Sequence, residues 1–186
     1  MPRSLAFTIW MTAFLISALP LHAAQPQAWP LRAGDLFPQC SEQTLTAKLL
    51  DLPSAAAGRP ALVVFSFSRA AGKDAGLWNE RLSRDFPNAV TGYTIILLES
   101  VPKLFRGTAL SGIKRSMPPS IQDRTIVLYH DEDLWKQRLA VSDDSRAYVV
   151  LLEPDGHIRW NNSGAFTGTE YARLKNEIER LLQPRP

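Results

Sequence analysis

Ala61-Leu62-Val63-Val64-Phe65-Ser66-Phe67-Ser68-Arg69-Ala70-Ala71-Gly72-Lys73 decides the architecture of this chain. Its first seven residues form a short, mostly apolar run bounded by turn residues, which suits a central strand covered on both faces. Beyond it Ala75, Leu77, Trp78, Leu82 and Phe86 recur at helical spacing, and Pro87-Asn88 closes the element. Tyr93 to Leu98 is a second apolar strand. Strand, helix and strand with short links predict a right-handed parallel unit.

Further on, Val101 to Gln122 interrupts the regularity. Leu104, Phe105, Leu110 and Ile113 can share a helix face, decorated by Lys103, Arg106, Lys114 and Arg115 with no acid between them. Met117-Pro118-Pro119 then forces an extended link. Thr125 to Tyr129 reads as a third strand, and Asp131-Glu132-Asp133 as an acidic helix start in which Asp131 can cap free backbone donors. Ala147 to Leu152 is a fourth strand, turned by Pro154-Asp155-Gly156 into His157-Ile158-Arg159-Trp160. A helix from Thr169 to Leu182 finishes the chain. The expected class is α/β, a central mixed sheet of four to five strands flanked by helices.

In the other direction, Pro53 to Pro60 is a loop, Thr44 to Leu50 a short strand or helical turn, and Gln25 to Phe37 an aperiodic segment rich in Pro, Gln and Trp. The first residues carry Arg3, an apolar stretch Leu5 to Leu19, and Ala23-Ala24, the order of a cleavable export signal. The stretch is shorter than the roughly 20 residues of a membrane-spanning helix, although an uncut signal would tether the chain. The expected organisation is a signal at 1–24, an extended lead-in at 25–43 and one domain at 44–183. An exported, periplasmic protein follows.

The net charge of +3 is too near neutral to argue for nucleic acid. Export leads to a compartment where small proteins often pair their cysteines, yet this chain has one, Cys40, so it has no internal disulfide. With His22 inside the expected signal, His130, His157 and one isolated cysteine make a poor metal set, and no metal or other cofactor is expected. Ser68 has no base in a recognisable nucleophile motif. Asn161-Asn162-Ser163 matches a glycosylation acceptor and carries no further argument.

The order of elements resembles the thioredoxin-like superfamily. Ala61 to Phe67 resembles the strand that leads to its redox motif, and Glu153-Pro154-Asp155-Gly156-His157-Ile158 the hairpin of its exported thiol-disulfide branch. The resemblance implies that the two motif cysteines would stand at Ala70 and Lys73, and the facing cis-proline at Ala147. All three are replaced. A cis peptide without proline costs about 3 kcal/mol, so the Arg146-Ala147 link is expected to be trans. Over Ala61 to Leu182 a nearer resemblance is to the mitochondrial assembly factor family for F-type ATP synthase. It rests on Ser66-Phe67-Ser68-Arg69, Trp78, Asp131-Glu132-Asp133-Leu134, Tyr148-Val149-Val150-Leu151-Leu152-Glu153 and Ile158-Arg159-Trp160-Asn161-Asn162-Ser163-Gly164. It implies a cysteine-poor domain that chaperones a membrane subunit of the proton channel. That family works on the matrix face, whereas an export signal directs this chain to the other side of a membrane.

The candidate groove is Ser68, Arg69, Ala70, Lys73, Arg146, Ala147, Arg159 and Trp160. Arg159 and Trp160 alternate along a strand, so one is expected in the core and the other outside, where Trp160 beside Arg69 could grip a peptide or carboxylate. Lys103, Arg106, Lys114 and Arg115 are the candidate surface for a protein partner or a membrane. The leading expectation is a non-redox protein that binds a client, such as a membrane-complex subunit, at the cell envelope. Two alternatives stay open: a thiol peroxidase or reductase using Cys40, and a carrier of a small anionic ligand.

Overall fold

The structure, a computed structural model, describes residues 30–183. The expected signal at 1–24 lies outside these residues, as do positions 25–29 of the lead-in. Strand β3 (Ala61–Ser66) is the middle of a five-stranded sheet, and each of its residues is buried. Strand β4 (Thr91–Leu97) runs parallel on one side of it, followed by β5 (Thr125–Leu128). Strands β6 (Tyr148–Leu152) and β7 (Ile158–Asn162) add antiparallel on the other side, giving the order β5-β4-β3-β6-β7.

Alternation along β3 divides the core. Val63 and Phe65 face a layer built from Trp135 and from Leu31, Phe37, Cys40 and Leu52 of the N-terminal segment. Leu62 and Val64 face helices α1 (Arg69–Asp85) and α5 (Gly168–Leu182) through Trp78, Leu82, Leu174 and Ile178. Trp78 is the hub of this second layer: it is fully buried and touches Trp160, Phe166 and Tyr171. Helix α2 (Lys103–Ser116) packs Leu110 and Ile113 over Ile96, Leu98 and Val127.

Several local expectations need correcting. The stretch 44–50 is neither helical turn nor single strand: β1 (Cys40–Gln43) and β2 (Leu49–Leu52) form a hairpin around a turn in which Ala47 takes a φ of 61°. The expected lead-in therefore supplies a strand and, with Leu31, Phe37 and Cys40, part of the core. A helix α3 (Pro119–Gln122) begins at Pro119, because a proline at the first helical position has no missing bond to lose. Helix α5 starts earlier than Thr169, with the Thr167 hydroxyl accepting from the Glu170 N–H.

The start of α4 (Glu132–Arg138) is also made differently. Asp131 adopts a left-handed conformation and caps nothing, its carboxylate turning to His130 instead. The Glu99 carboxylate, from the loop after β4, accepts from the Glu132 N–H at 2.7 Å. The Glu132 carboxylate in turn accepts from Ser100 N–H and pairs with Lys136 at 2.8 Å. Burial opposes the charge on Glu132, but these partners outweigh it and hold the carboxyl below its ordinary range.

On β7 the simple alternation fails. Leu151 pairs with Trp160 and Leu152 with Ile158, so Arg159 is the extra residue of a bulge. Ile158 then joins the layer under Trp135, Trp160 joins Trp78, and Arg159 reaches Glu177 of α5 at 2.9 Å. Truncating Trp78→Ala should cost about 3–5 kcal/mol in chemical denaturation, as large buried aromatics do, whereas Leu77→Ala on the exposed side of α1 should cost under about 1 kcal/mol.

Candidate functional site

The carboxyl ends of β3 and β4 open onto the starts of α1 and α2. At α1 the chain leaves β3 through Ser66, whose hydroxyl donates to the Ser68 carbonyl, and Ser68 caps the helix by accepting from the Ala71 N–H at 3.1 Å. This fixes Arg69, Ala70 and Lys73 on the exposed side of the first turns. Neither Arg69 nor Lys73 has a carboxylate partner among the described residues.

The facing loop is held by a residue that sequence reasoning passed over. Asp74 sends one carboxylate oxygen to the Ala147 N–H at 3.0 Å and the other to the Phe166 N–H at 2.8 Å. One side chain on the second turn of α1 thus fastens the loop entering β6 and the loop entering α5. Its sequence signal was an acid spaced three after Ala71 and four before Trp78, inside the apolar stripe of the helix. A charge in that stripe needs polar partners, and the two backbone donors supply them. Among the described residues the one cis peptide is Leu52-Pro53, so the Arg146-Ala147 link is trans as expected. Ala147 is itself fully buried and offers its side chain to the core, not to a ligand. Arg146 lies outside and pairs with Asp143 at 2.8 Å.

The eight groove residues therefore divide. Ser68, Arg69, Ala70 and Lys73 share one helix start, and Asp74 brings Arg146 and Ala147 to it. Arg159 and Trp160 belong elsewhere: Arg159 is bound by Glu177 and Glu153, and Trp160 is half-buried on Trp78. The pairing of Trp160 with Arg69 is not formed, because the bulge turns the ring into the α1–α5 layer.

The basic helix also departs from its expected form. Leu104 and Phe105 do not share the inner face with Leu110 and Ile113; they are 85% and 59% exposed. Arg106 takes their place underneath, donating to the carbonyls of Val101 and Glu99 and stacking 5.2 Å from the Tyr129 ring. Lys103, Lys114 and Arg115 remain on the surface, with the Arg115 Nε–H donating to the Ser111 carbonyl.

Cys40 lies on β1, in the layer opposite α1, at the floor of a cleft lined by Glu42, His130, Asp131, Trp135 and Arg138. It is 6% exposed, and burial, reinforced by the Glu42 carboxylate, pushes its thiol up to about 12. His130 bridges Glu42 and Asp131 at the rim, each at 2.9 Å. Arg138 in the same cleft favours the thiolate, but burial and the Glu42 and Asp51 carboxylates outweigh it, so the setting that makes a reactive thiolate is not built here. No group of three or more metal-ligating side chains occurs among the described residues.

A family model described as ATP10 protein matches residues 20–181. The chain belongs to the ATP10 protein family. This is an ATP synthase assembly family, so the nearer of the two resemblances holds over most of the sequence. A search of curated protein sequences finds no significant match. Among solved structures, this ATP10-family chain is similar to a DsbE-type thiol:disulfide interchange protein from Chlorobium tepidum, at 12% identity and a TM-score of 0.61, covering 82% of this chain and 99% of that one. It is similar to the thioredoxin domain of a thiol-disulfide oxidoreductase from Bacteroides vulgatus at 16% identity and a TM-score of 0.57, over 82% and 99% of the two chains. BsSco, a member of the Sco family of cytochrome c oxidase assembly proteins, matches at 12% identity with a TM-score of 0.53, over 83% and 99%. At such identities the likeness establishes the thioredoxin-like fold and nothing about chemistry.

Two outcomes follow for the site. Asp74→Ala leaves two amides without their acceptor and should lower stability by about 2–3 kcal/mol, with hydrogen exchange accelerated at Ala147 and Phe166 beyond the change at other loop amides. Alkylation of Cys40 by iodoacetamide at pH 8 should be at least about a hundredfold slower in the native protein than in denaturant, since a thiol of ordinary pKa near 8.5 reacts through its thiolate.

Proposed function

We propose that this ATP10-family chain is a non-redox assembly factor that holds a protein client at the start of α1 and works at the cell envelope. The observation that carries this reading is the exchange at that start: Ala70 and Lys73 stand where the resemblance places redox cysteines, while Ser68 and Asp74 keep the helix and its facing loop rigid. Alanine and lysine provide no attacking or resolving thiol. What the turn does present is Arg69 and Lys73, two cations with no carboxylate partner among the described residues, on a preorganised backbone. Such a surface can take a carboxylate or an acidic segment of a polypeptide, with arginine serving as an interface anchor. Membership of an ATP synthase assembly family supports a subunit of a membrane complex as the client. The export-type order of Arg3, Leu5 to Leu19 and Ala23-Ala24 supports the envelope.

Photocrosslinking in cells tests the reading. A benzophenone side chain placed at Arg69 or Lys73 of the full chain should give a discrete adduct with one membrane-complex subunit, and the same probe at Arg173 on α5 should not. Arg69→Glu with Lys73→Glu should weaken a site that uses both charges by about tenfold or more, and lower the amount of the assembled complex on native gels. Equal adducts at all three positions, or none at 69 and 73, would sink the proposal.

A further inference from the structure

Helix α2 turns a charge-bearing side chain inward, half-buried, and leaves two apolar ones, Leu104 and Phe105, exposed. Arg106, Leu110 and Ile113 turn inward, Arg106 being consumed by backbone carbonyls and by Tyr129. On the outer side Leu104, Thr108, Ser111 and Arg115 recur at helical spacing and are all exposed, with Phe105 beside Leu104. Lys103, Lys114 and Arg115 frame this side. No Asp or Glu occurs between Glu99 and Asp123, and none of the ion pairs among the described residues involves α2. The first turn has neither an acidic residue nor a side-chain cap, so its backbone donors add to the positive sign.

The distribution of these groups selects the occupant. A helix that docks in a protein groove presents apolar anchors along its length. Here the exposed large apolar side chains are confined to the first turn, and the middle of the outer face is Gly107, Thr108 and Ser111. Two apolar tips on a convex helix end, surrounded by cations on long stems, match a lipid interface: the tips enter the boundary of headgroups and acyl chains while the cations meet phosphates. We propose that α2 docks on an anionic phospholipid surface through Leu104 and Phe105, held by Lys103, Lys114 and Arg115. This deepens the assembly reading by presenting the client-binding end of the sheet to the membrane, and it is tested without any client.

Sedimentation with vesicles does not suffice, because Leu5 to Leu19 is itself apolar. The full chain with Cys40→Ser and Ser111→Cys is labelled with an environment-sensitive fluorophore, and a second preparation carries the label at Ser54→Cys, away from α2. Vesicles of phosphatidylcholine containing about one-third phosphatidylglycerol should blue-shift and brighten the label at 111 but not at 54, and pure phosphatidylcholine should do neither. Leu104→Ser with Phe105→Ser should raise the lipid concentration for half-effect by about tenfold, and neutralising Lys103, Lys114 and Arg115 to Gln by roughly a hundredfold, both with unchanged melting temperature. No response at 111 to the anionic vesicles, the same response to neutral ones, or a response that survives both sets of substitutions overturns the proposal. A response to an acidic polypeptide in place of lipid overturns it too and assigns α2 to a protein partner; the crosslinks from Arg69 and Lys73 stand or fall separately.

Discussion

Strand β3 has no side to give to water: all six of its residues are buried, and its neighbours β4 and β6 run in opposite directions. A strand in that position requires a layer on each face and a strand on each edge, and the rest of the chain supplies them. Helices α1 and α5 cover Leu62 and Val64, while Trp135 and the N-terminal segment cover Val63 and Phe65. The second of these layers combines Trp135 of α4 with the β1–β2 hairpin, through Cys40 and Leu52, and with Leu31 and Phe37 from irregular chain ahead of it. The single cysteine is thereby committed to packing, on the face of the sheet away from α1.

At the carboxyl end of β3 the changes at separate positions fit one another. A proline at 147 would carry no N–H, and the Asp74 carboxylate would lose the donor that it meets there. With alanine at 147 the amide is present, the peptide is trans and the side chain fills a place in the core. Asp74 can then join the loop before β6 to the loop before α5, using both oxygens. The helix start is thereby a rigid, cationic corner, and its rigidity comes from backbone donors held by Ser68 and Asp74.

The five-stranded sheet, with parallel then antiparallel members, and helices α1, α2, α4 and α5 were legible, the strands as short apolar runs and the helices by apolar spacing and end signals, whereas α3 was not. β3, the α1 stripe through Trp78 and Leu82, and the Pro154-Asp155-Gly156 turn all declare themselves locally. The misread features depend on partners distant in sequence. Asp131 has the right place and chemistry for a cap, but Glu99, more than thirty residues earlier, reaches the Glu132 amide first and leaves Asp131 to His130. The bulge at Arg159 cannot be seen in Ile158-Arg159-Trp160 alone, because it is defined by pairing to Leu151 and Leu152. Likewise, Leu104 and Phe105 belong to an apolar helical run by spacing, and only the position of α2 over Ile96 and Val127 shows that Arg106 points inward instead. The site was legible as a location, through Ser68 to Lys73, and illegible as a device, because the Asp74 bonds cross seventy residues or more.

The sheet edges bear on where a partner can meet this molecule. Exposed edges invite strand addition, and here the N-terminal segment attends to both. It bridges the outer side of β5 through Thr44 and Ile126, with the Leu45 N–H donating to the Thr125 carbonyl. At β7 it exchanges backbone bonds between Gly34, Asp35 and Ile158, and the Asn161 amide donates to the Leu31 carbonyl. The bulge at Arg159 adds a local twist just beyond that contact. With these strand edges engaged by the protein's own chain, the start of α1 keeps the charges of Arg69 and Lys73, unpaired among the described residues, and the outward side of α2 keeps the most exposed apolar side chain, Leu104. At these contacts the N-terminal segment occupies backbone groups of the five-stranded sheet that strand addition would use.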